Sequence, residues 1–159
     1  MDPSQIVNIV VFIILICLSS FFSCTETAFL SANKIRMRNL AEEGDRRAKK
    51  VEKLLSNTDR LYSSILVGNN LVNIGASSLT TSIVISIFGN SASLVAAASG
   101  VVTLLILVFG EITPKTFATK NADRIALFMS GFVSFICFIF TPVVFLLNII
   151  TGFIIKLLG

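Results

Sequence analysis

The sequence predicts an all-α integral membrane protein with three transmembrane helices. Of its 159 residues, 54% are hydrophobic and only 14% are charged, and the mean hydropathy is +0.88. A typical soluble domain carries about 25% charged residues, so much of this chain must face lipid. Long uncharged segments also alternate with one strongly basic segment, which is the pattern of membrane spans and their connecting loops.

Three apolar segments are long enough to cross a hydrocarbon core of about 30 Å. They are predicted as spans over residues 6–28, 61–88 and 92–113. A cleaved signal peptide is the alternative for the first segment. It is disfavoured because no basic residue precedes the segment and no small-x-small cleavage site ends it.

The connecting segment, residues 34–60, contains most of the thirteen basic residues. The positive-inside rule therefore predicts that this segment is cytoplasmic and that the N-terminus lies outside. The membrane is expected to be the plasma membrane. Because the basic residues cluster in this one segment, the net charge of +4 indicates membrane topology and does not indicate nucleic-acid binding. An apolar stripe that includes Leu40 and Val51 predicts short helices separated at Gly44, with basic flanks suited to anionic lipid. An ordinary solvated loop is the alternative.

The last segment is ambiguous. Residues 125–155 contain no charge, so hydropathy alone predicts a fourth span. Pro142 lies near the middle and is expected to break or kink the helix. A bent excursion that stays on the cytoplasmic side therefore competes with a full crossing.

Glu111 is the first candidate for function because residues 61–110 contain no charged side chain. A carboxylate at membrane depth is expensive unless it faces a partner, a cavity or an ion. Pro114 has no N–H for the carbonyl four residues earlier, so the Gly110 oxygen is expected to be free beside Glu111. The alternative is a helix end at the membrane edge, where Glu111 and Lys115 meet water.

Polar residues in the first two spans point to the same chemistry. Ser19, Ser23 and Glu26 follow one another at i, i+4 and i+7, so they share a helix face. Ser20 is a further hydroxyl beside this face. The alternative for these serines is helix packing, since small polar residues also hold membrane helices together.

Asn69 and Asn73 are spaced at i and i+4 in the second span, and Asn70 points to another side, where it could bond between helices. Hydroxyl, carboxamide, carbonyl and carboxylate oxygens suit Mg²⁺, Ca²⁺ or Na⁺ better than Zn²⁺ or copper. The chain has no histidine and no CxxC spacing, which disfavours both a zinc site and a hydrolase. An intramembrane enzyme is therefore the least favoured function.

Three motifs, SFFSCTETA at residues 20–28, VGNNLVNI at 67–74 and FGEITPK at 109–115, resemble the transmembrane domain of the CorC and cyclin-M (CNNM) magnesium transporters. The resemblance covers essentially the whole chain. It implies a homodimer whose subunits each have three transmembrane helices, short cytoplasmic helices and a juxtamembrane belt helix. It also implies Mg²⁺ export, with Na⁺ as the candidate exchanged ion.

The resemblance also implies an ion-binding set: Ser23, Asn69, Asn73, the Gly110 carbonyl and Glu111. It implies that a cytoplasmic nucleotide-binding CBS pair follows this domain in the full-length protein and is absent from residues 1–159. If so, residues 125–158 should not cross the membrane an odd number of times, and a Pro142-broken helix that lies along or dips into the cytoplasmic leaflet is expected.

The expected mechanism is alternating access around a site between the three spans, holding a largely dehydrated Mg²⁺. A channel with the same ligands is one alternative. A sensor or membrane scaffold that binds Mg²⁺ without net flux is another. Transport direction, coupling ion, and selectivity among Mg²⁺, Co²⁺ and Mn²⁺ stay open.

Overall fold

The computed structural model describes residues 3–89 and 91–158, and every regular element in these ranges is helical. The elements in chain order are α1 (Pro3–Ser31), α2 (Lys34–Glu42), α3 (Arg46–Leu55), α4 (Thr58–Phe88), α5 (Ala92–Leu105), a π-helical segment (Ile106–Ile112), α6 (Thr113–Lys120) and α7 (Ala122–Leu158).

Four helical stretches in the described residues have the length and composition to cross a membrane. They are Gln5–Ser31, Thr58–Ile87, Ala92–Lys120 and Ala122–Leu157. The first three correspond to the predicted spans, although the third continues well past residue 113. The fourth is the segment that is ambiguous in the sequence. By length and composition alone the structure therefore has four candidate spans, and the predicted count of three spans is not confirmed.

Side-chain caps define the short helices between the first two spans. The Asn33 carboxamide oxygen accepts a hydrogen bond from the Arg36 N–H at 3.1 Å, and one Asp45 oxygen accepts from two N–H groups at the start of α3. Gly44 has a φ of 101°, the left-handed region that favours glycine. The turn between α2 and α3 therefore lies at Gly44, where the sequence predicts it, and Val51 from the apolar stripe is fully buried.

Helices α1 and α4 pack antiparallel and in very close contact. A Cβ atom at Gly68 would lie 2.5 Å from two ring carbons of Phe22, so only glycine fits there. Further along, the Tyr62 hydroxyl donates to the Phe29 carbonyl at 3.5 Å. The pairs run in opposite directions along the two helices, which fixes their antiparallel alignment.

The α7 helix is continuous through Pro142, so the predicted break is wrong. The preceding turn is held by other donors. The Thr141 hydroxyl donates to the Cys137 carbonyl at 2.6 Å, and the Arg60 guanidinium donates both to that carbonyl and to Thr141. These donors tie the turn before Pro142 to α4, whereas the carbonyl that Pro142 itself leaves without a donor is that of Phe138, four residues earlier.

Helix α7 packs against α1, α3 and α4, and the Phe132 ring lies edge-on to the Phe21 ring of α1 at 4.7 Å. Near its start, Asp123 accepts from the Asn33 N–H at 2.9 Å. Further on, Arg60 contacts the turn before Pro142. Later still, Asn148 and Thr151 form a groove with Asp59, at the beginning of α4. The second half of α7 thus stays beside the end of α4 that carries Arg60.

The buried core lies where α1, α3, α4 and α7 meet. Its members are aromatic and aliphatic side chains from all four helices together with one from α2: Phe22, Phe29, Met37, Val51, Leu61, Ile65, Val72, Val133 and Ile136. The α5 helix, in contrast, has no buried residue.

Candidate functional site

A buried polar contact joins all three predicted spans, and its members Ser19, Asn73 and Gly110 are called the neutral layer below. The Ser19 hydroxyl lies 2.8 Å from the Asn73 carboxamide oxygen and 3.5 Å from the Gly110 carbonyl. Ser19 and Gly110 are buried, and Asn73 is half-buried. A Cβ at Gly110 would lie 3.2 Å from the Ser19 hydroxyl, so glycine permits this approach.

The π-helical segment changes which carbonyl Pro114 leaves without a donor. In this segment the Thr113 N–H donates to the Val108 carbonyl, five residues earlier. In that register Pro114 fails to supply Phe109, whereas in an α-helical register it fails to supply Gly110. Both carbonyls accept from serine hydroxyls of α1: Ser20 donates to Phe109 at 2.7 Å, and Ser19 lies near Gly110.

Two oxygen atoms lie buried without a partner next to the neutral layer. The Ser23 hydroxyl and the Asn69 carboxamide oxygen make no hydrogen bond in the described residues. Each lies four residues from its neutral-layer neighbour, Ser19 or Asn73. Because α1 and α4 are antiparallel, both are displaced in the same direction, by about 6 Å of helix rise. Native proteins rarely leave buried polar atoms unsatisfied, and a water or an ion is a common explanation.

Glu26 and Glu111 form a separate group with Lys115. These three residues are called the charged cluster below. The Lys115 ammonium lies 3.1 Å from a Glu111 oxygen and 3.5 Å from a Glu26 oxygen. All three side chains are partly exposed. One lysine therefore neutralises half of the negative charge that the two glutamates bring.

The structure brings most of the predicted site residues together, but it separates their roles. Among the described residues no hydrogen bond joins Glu111 to Ser23, Asn69 or Asn73, and the partner of Glu111 is Lys115. Asn70, expected to face another side, is exposed in the described chain.

Sequence reasoning missed two partners. The Phe109 carbonyl was overlooked because the π register was not foreseen. Lys115 was read as a solvent contact, although the i, i+4 spacing from Glu111 is the spacing of a helix ion pair.

The chemistry of the site is that of hard oxygen donors. Among the described residues no three His, Cys, Asp or Glu side chains cluster as a metal cage. Hydroxyl, carboxamide and backbone oxygens have no net charge, so within the described residues the negative charge beside them comes from the charged cluster. Such a set can hold a Mg²⁺ or Na⁺ ion weakly and release it.

The structure is that of a helical membrane domain with a polar layer buried between its spans, which is consistent with a transport-related role. A family model described as the cyclin M transmembrane N-terminal domain matches residues 10–159. The chain therefore belongs to this family, as its motifs predict.

Similar proteins occur in bacteria and plants. The chain is 44% identical over 150 residues to a UPF0053 protein of Haemophilus influenzae and 42% identical over 142 residues to UPF0053 inner membrane protein YfjD of Escherichia coli. These alignments cover 94% and 89% of this chain but 35% and 33% of the relatives.

A chloroplastic DUF21 domain-containing protein of Arabidopsis thaliana is 36% identical over 146 residues, which is 92% of this chain and 22% of that protein. The chain thus spans about a third or less of the length of these curated relatives.

Proposed function

We propose that this domain transports Mg²⁺ across the membrane, in the export direction and with Na⁺ as the exchanged ion. The observation that carries the proposal is the pair of buried, unpartnered oxygens on Ser23 and Asn69. They are hard donors, they come from two different spans, and they lie one turn from an existing contact between all three. A hydrated cation would satisfy both.

In the proposed ion-binding set, Ser23, Asn69, Asn73 and the Gly110 carbonyl supply neutral oxygens and Glu111 supplies the charge. Mg²⁺ gives up its water reluctantly and prefers octahedral geometry, so several oxygens must replace that water at once. Ser19 supports the set by holding Asn73, and Ser20 supports it by satisfying the Phe109 carbonyl.

In this mechanism the Lys115 ammonium competes with the transported cation for Glu111. Its ammonium lies against Glu111 and Glu26, so an arriving cation must take Glu111 from it. An ion that leaves is in turn replaced by the lysine, which keeps the carboxylates from standing unpaired at the membrane. This exchange favours release over permanent binding.

Alternating access needs a helix that can change shape near the ligands. The π-helical segment immediately precedes Pro114, and π-helical turns often lie at functional sites. We therefore place the bend in the third span, at the residues that contribute Gly110 and Glu111.

We also propose that α7 is the juxtamembrane belt helix and lies along the cytoplasmic leaflet of the plasma membrane. Its polar contacts with Asn33, Arg60 and Asp59 lie beside the ends of α1 and α4 that border the basic segment, and its Phe132 ring contacts Phe21 further along α1. A fourth crossing would instead carry its second half along the length of a neighbouring span. The basic segment then stays cytoplasmic and the N-terminus outside.

The functional unit is proposed to be a homodimer. The α5 helix has no buried residue, whereas α1 and α4 share a packed interface, so the third span has a free side for a second copy. A nucleotide-binding CBS pair would follow in the full-length protein. The relatives' greater length leaves room for it.

Mg²⁺ flux from proteoliposomes tests the proposal, with an internal fluorescent Mg²⁺ indicator as the readout. Glu111→Gln keeps the shape of the side chain and removes its charge, and we expect it to lower flux at least about tenfold. The matched control is Glu42→Gln, an exposed carboxylate on α2. Equal flux in wild type and Glu111→Gln would sink the assignment of Glu111.

The same assay separates the alternatives. Saturating flux that depends on a Na⁺ gradient supports an exchanger, whereas flux that does not saturate indicates a channel. Mg²⁺-dependent protection of the folded protein without any flux indicates a sensor or scaffold.

A further inference from the structure

A second polar crevice lies outside the cation site, between α3, the start of α4 and α7. Its volume is about 250 Å³. Three cationic side chains line it, Lys50, Lys53 and Arg60, and no carboxylate does. The remaining wall is largely apolar and includes Leu54, Leu61 and Phe138.

The positive charge of this crevice is not neutralised by the protein. Neither Lys50 nor Lys53 has an ion-pair partner among the described side chains. The Arg60 Nε atom is buried and makes no hydrogen bond, although its Nη2 group is bonded to α7. A buried guanidinium N–H without an acceptor is costly, and an anion entering the crevice would satisfy it.

The position of the crevice matches the boundary of a bilayer. Leu61 begins the charge-free residues 61–110, and Arg60 directly precedes them. On the α7 side, Phe138 is 74% exposed and belongs to an uncharged segment with many exposed aromatic and aliphatic side chains. The crevice thus has basic groups at headgroup depth and an open apolar surface beside them.

We propose that this crevice binds one anionic phospholipid, with the phosphate held by Lys50, Lys53 and Arg60 and an acyl chain lying along Phe138 on α7. The two chemistries on its walls are those of one amphiphile. A soluble phosphate would use the cations and leave the apolar wall uncovered. Arg60 gives the site a second effect, because the lipid would lie on the side chain that ties α4 to the turn before Pro142.

Quenching by brominated lipid tests this, and the absence of tryptophan from the chain makes a single reporter clean. The reporter substitution is Phe138→Trp, placed in phosphatidylcholine nanodiscs. A minor fraction of the lipid is then replaced by phosphatidylglycerol or phosphatidylcholine with brominated acyl chains. We expect several-fold stronger quenching by the brominated phosphatidylglycerol.

Two double variants assign the effect to the crevice. Lys50→Gln with Lys53→Gln removes two charges that line it. Arg46→Gln with Lys49→Gln removes two charges from the same helix that do not. The first pair should lower the preference for phosphatidylglycerol by about tenfold, since each basic residue near an anionic surface contributes appreciably. The second pair should leave most of it.

Three results would overturn the proposal. One is equal quenching by the two brominated lipids in the reporter protein. Another is an equal loss of preference in both double variants, which would indicate general surface attraction. The third is loss of the preference on adding inorganic phosphate at constant ionic strength, which would make free phosphate the ligand. If the reporter substitution does not fold, native mass spectrometry of lipid retained by the two double variants gives the same comparison.

Discussion

The neutral layer joins all three predicted spans and the charged cluster joins the first and the third, and the two regions handle polarity in opposite ways. In the neutral layer Ser19 is buried and binds uncharged oxygens directly. In the charged cluster Lys115 joins Glu26 and Glu111 at partly exposed positions. Full charges therefore stay where water can reach them, and dipoles occupy the interior, as the cost of burying an ion requires.

The unpartnered Ser23 hydroxyl lies between these two regions along α1, and the unpartnered Asn69 oxygen lies at a similar level on α4. Under the proposed function, an ion held there would have neutral ligands on one side and carboxylates on the other. The carboxylates would attract the ion at the partly exposed end, and the dipoles would replace its water deeper in.

The largest effect is expected from a substitution that disrupts the packing of α1, which contributes to both regions, against α4. Gly68→Ala should destabilise the domain by about 1–3 kcal/mol, because its Cβ would overlap the Phe22 ring and force α1 away from α4. Thermal unfolding in detergent measures this. The double variant with Phe22→Leu should recover part of the loss, and Gly100→Ala, with open space around its Cβ, serves as the control. Unchanged unfolding of Gly68→Ala would show that the two helices do not pack this closely.

The next effect concerns the neutral layer alone. Asn73→Ala removes the partner of Ser19 and should cost about 1 kcal/mol of stability and lower Mg²⁺ flux roughly tenfold. Asn70→Ala, on the exposed side of the same helix, is the matched control. If both variants retain full flux, the neutral layer is a packing contact only.

A smaller effect is expected in the charged cluster. Lys115→Met keeps the length of the side chain and frees Glu26 and Glu111. The apparent affinity for Mg²⁺ should rise several-fold, by at most about 1 kcal/mol because the groups are partly solvated. Isothermal titration with Mg²⁺ checks the direction, and Lys120→Met controls for net charge. A weaker affinity would mean that Lys115 orients Glu111 for the ion instead of competing with it.

The smallest effect belongs to an ion pair outside both regions. Arg38→Ala breaks the exposed Arg38 and Glu42 pair of α2 and should change stability by about 0.5 kcal/mol or less. A change in unfolding temperature as large as that of Asn73→Ala would contradict this expectation. It would mean that an exposed ion pair stabilises the protein as much as the buried hydrogen bond of Ser19 and Asn73.

Much of this arrangement is predictable from sequence because its causes are local. Helical spacing places Ser19 with Ser23 and Asn69 with Asn73 on common faces, and Asp45 and Gly44 define the turn before α3 through capping and φ. The long charge-free stretch before Glu111 marks that residue without any knowledge of the fold.

What sequence could not provide depends on contacts between helices. Pro142 was expected to break α7, but Arg60, distant in sequence, supplies donors to the turn before it. The π register likewise places Phe109 within reach of Ser20 on another helix. For Pro114 the lost hydrogen bond is compensated by Ser20, and for Pro142 the preceding turn is tied to Arg60 of another helix; local spacing reveals neither contact.

The π-helical segment Ile106–Ile112 also determines how this helix responds to the deletion of one residue. A π-turn accommodates one residue more than the α-turn that it replaces, so it acts as a single-residue insertion absorbed within a helix. Deleting one residue there would restore a plain α-helix and keep the span intact. The residues after the deletion would keep their orientation relative to those before it, because the wider turn had already absorbed the extra residue. In the restored α-helical register Pro114 would leave the Gly110 carbonyl, and no longer the Phe109 carbonyl, without a donor. A one-residue deletion is therefore expected to be tolerated better in this segment than in an ordinary span.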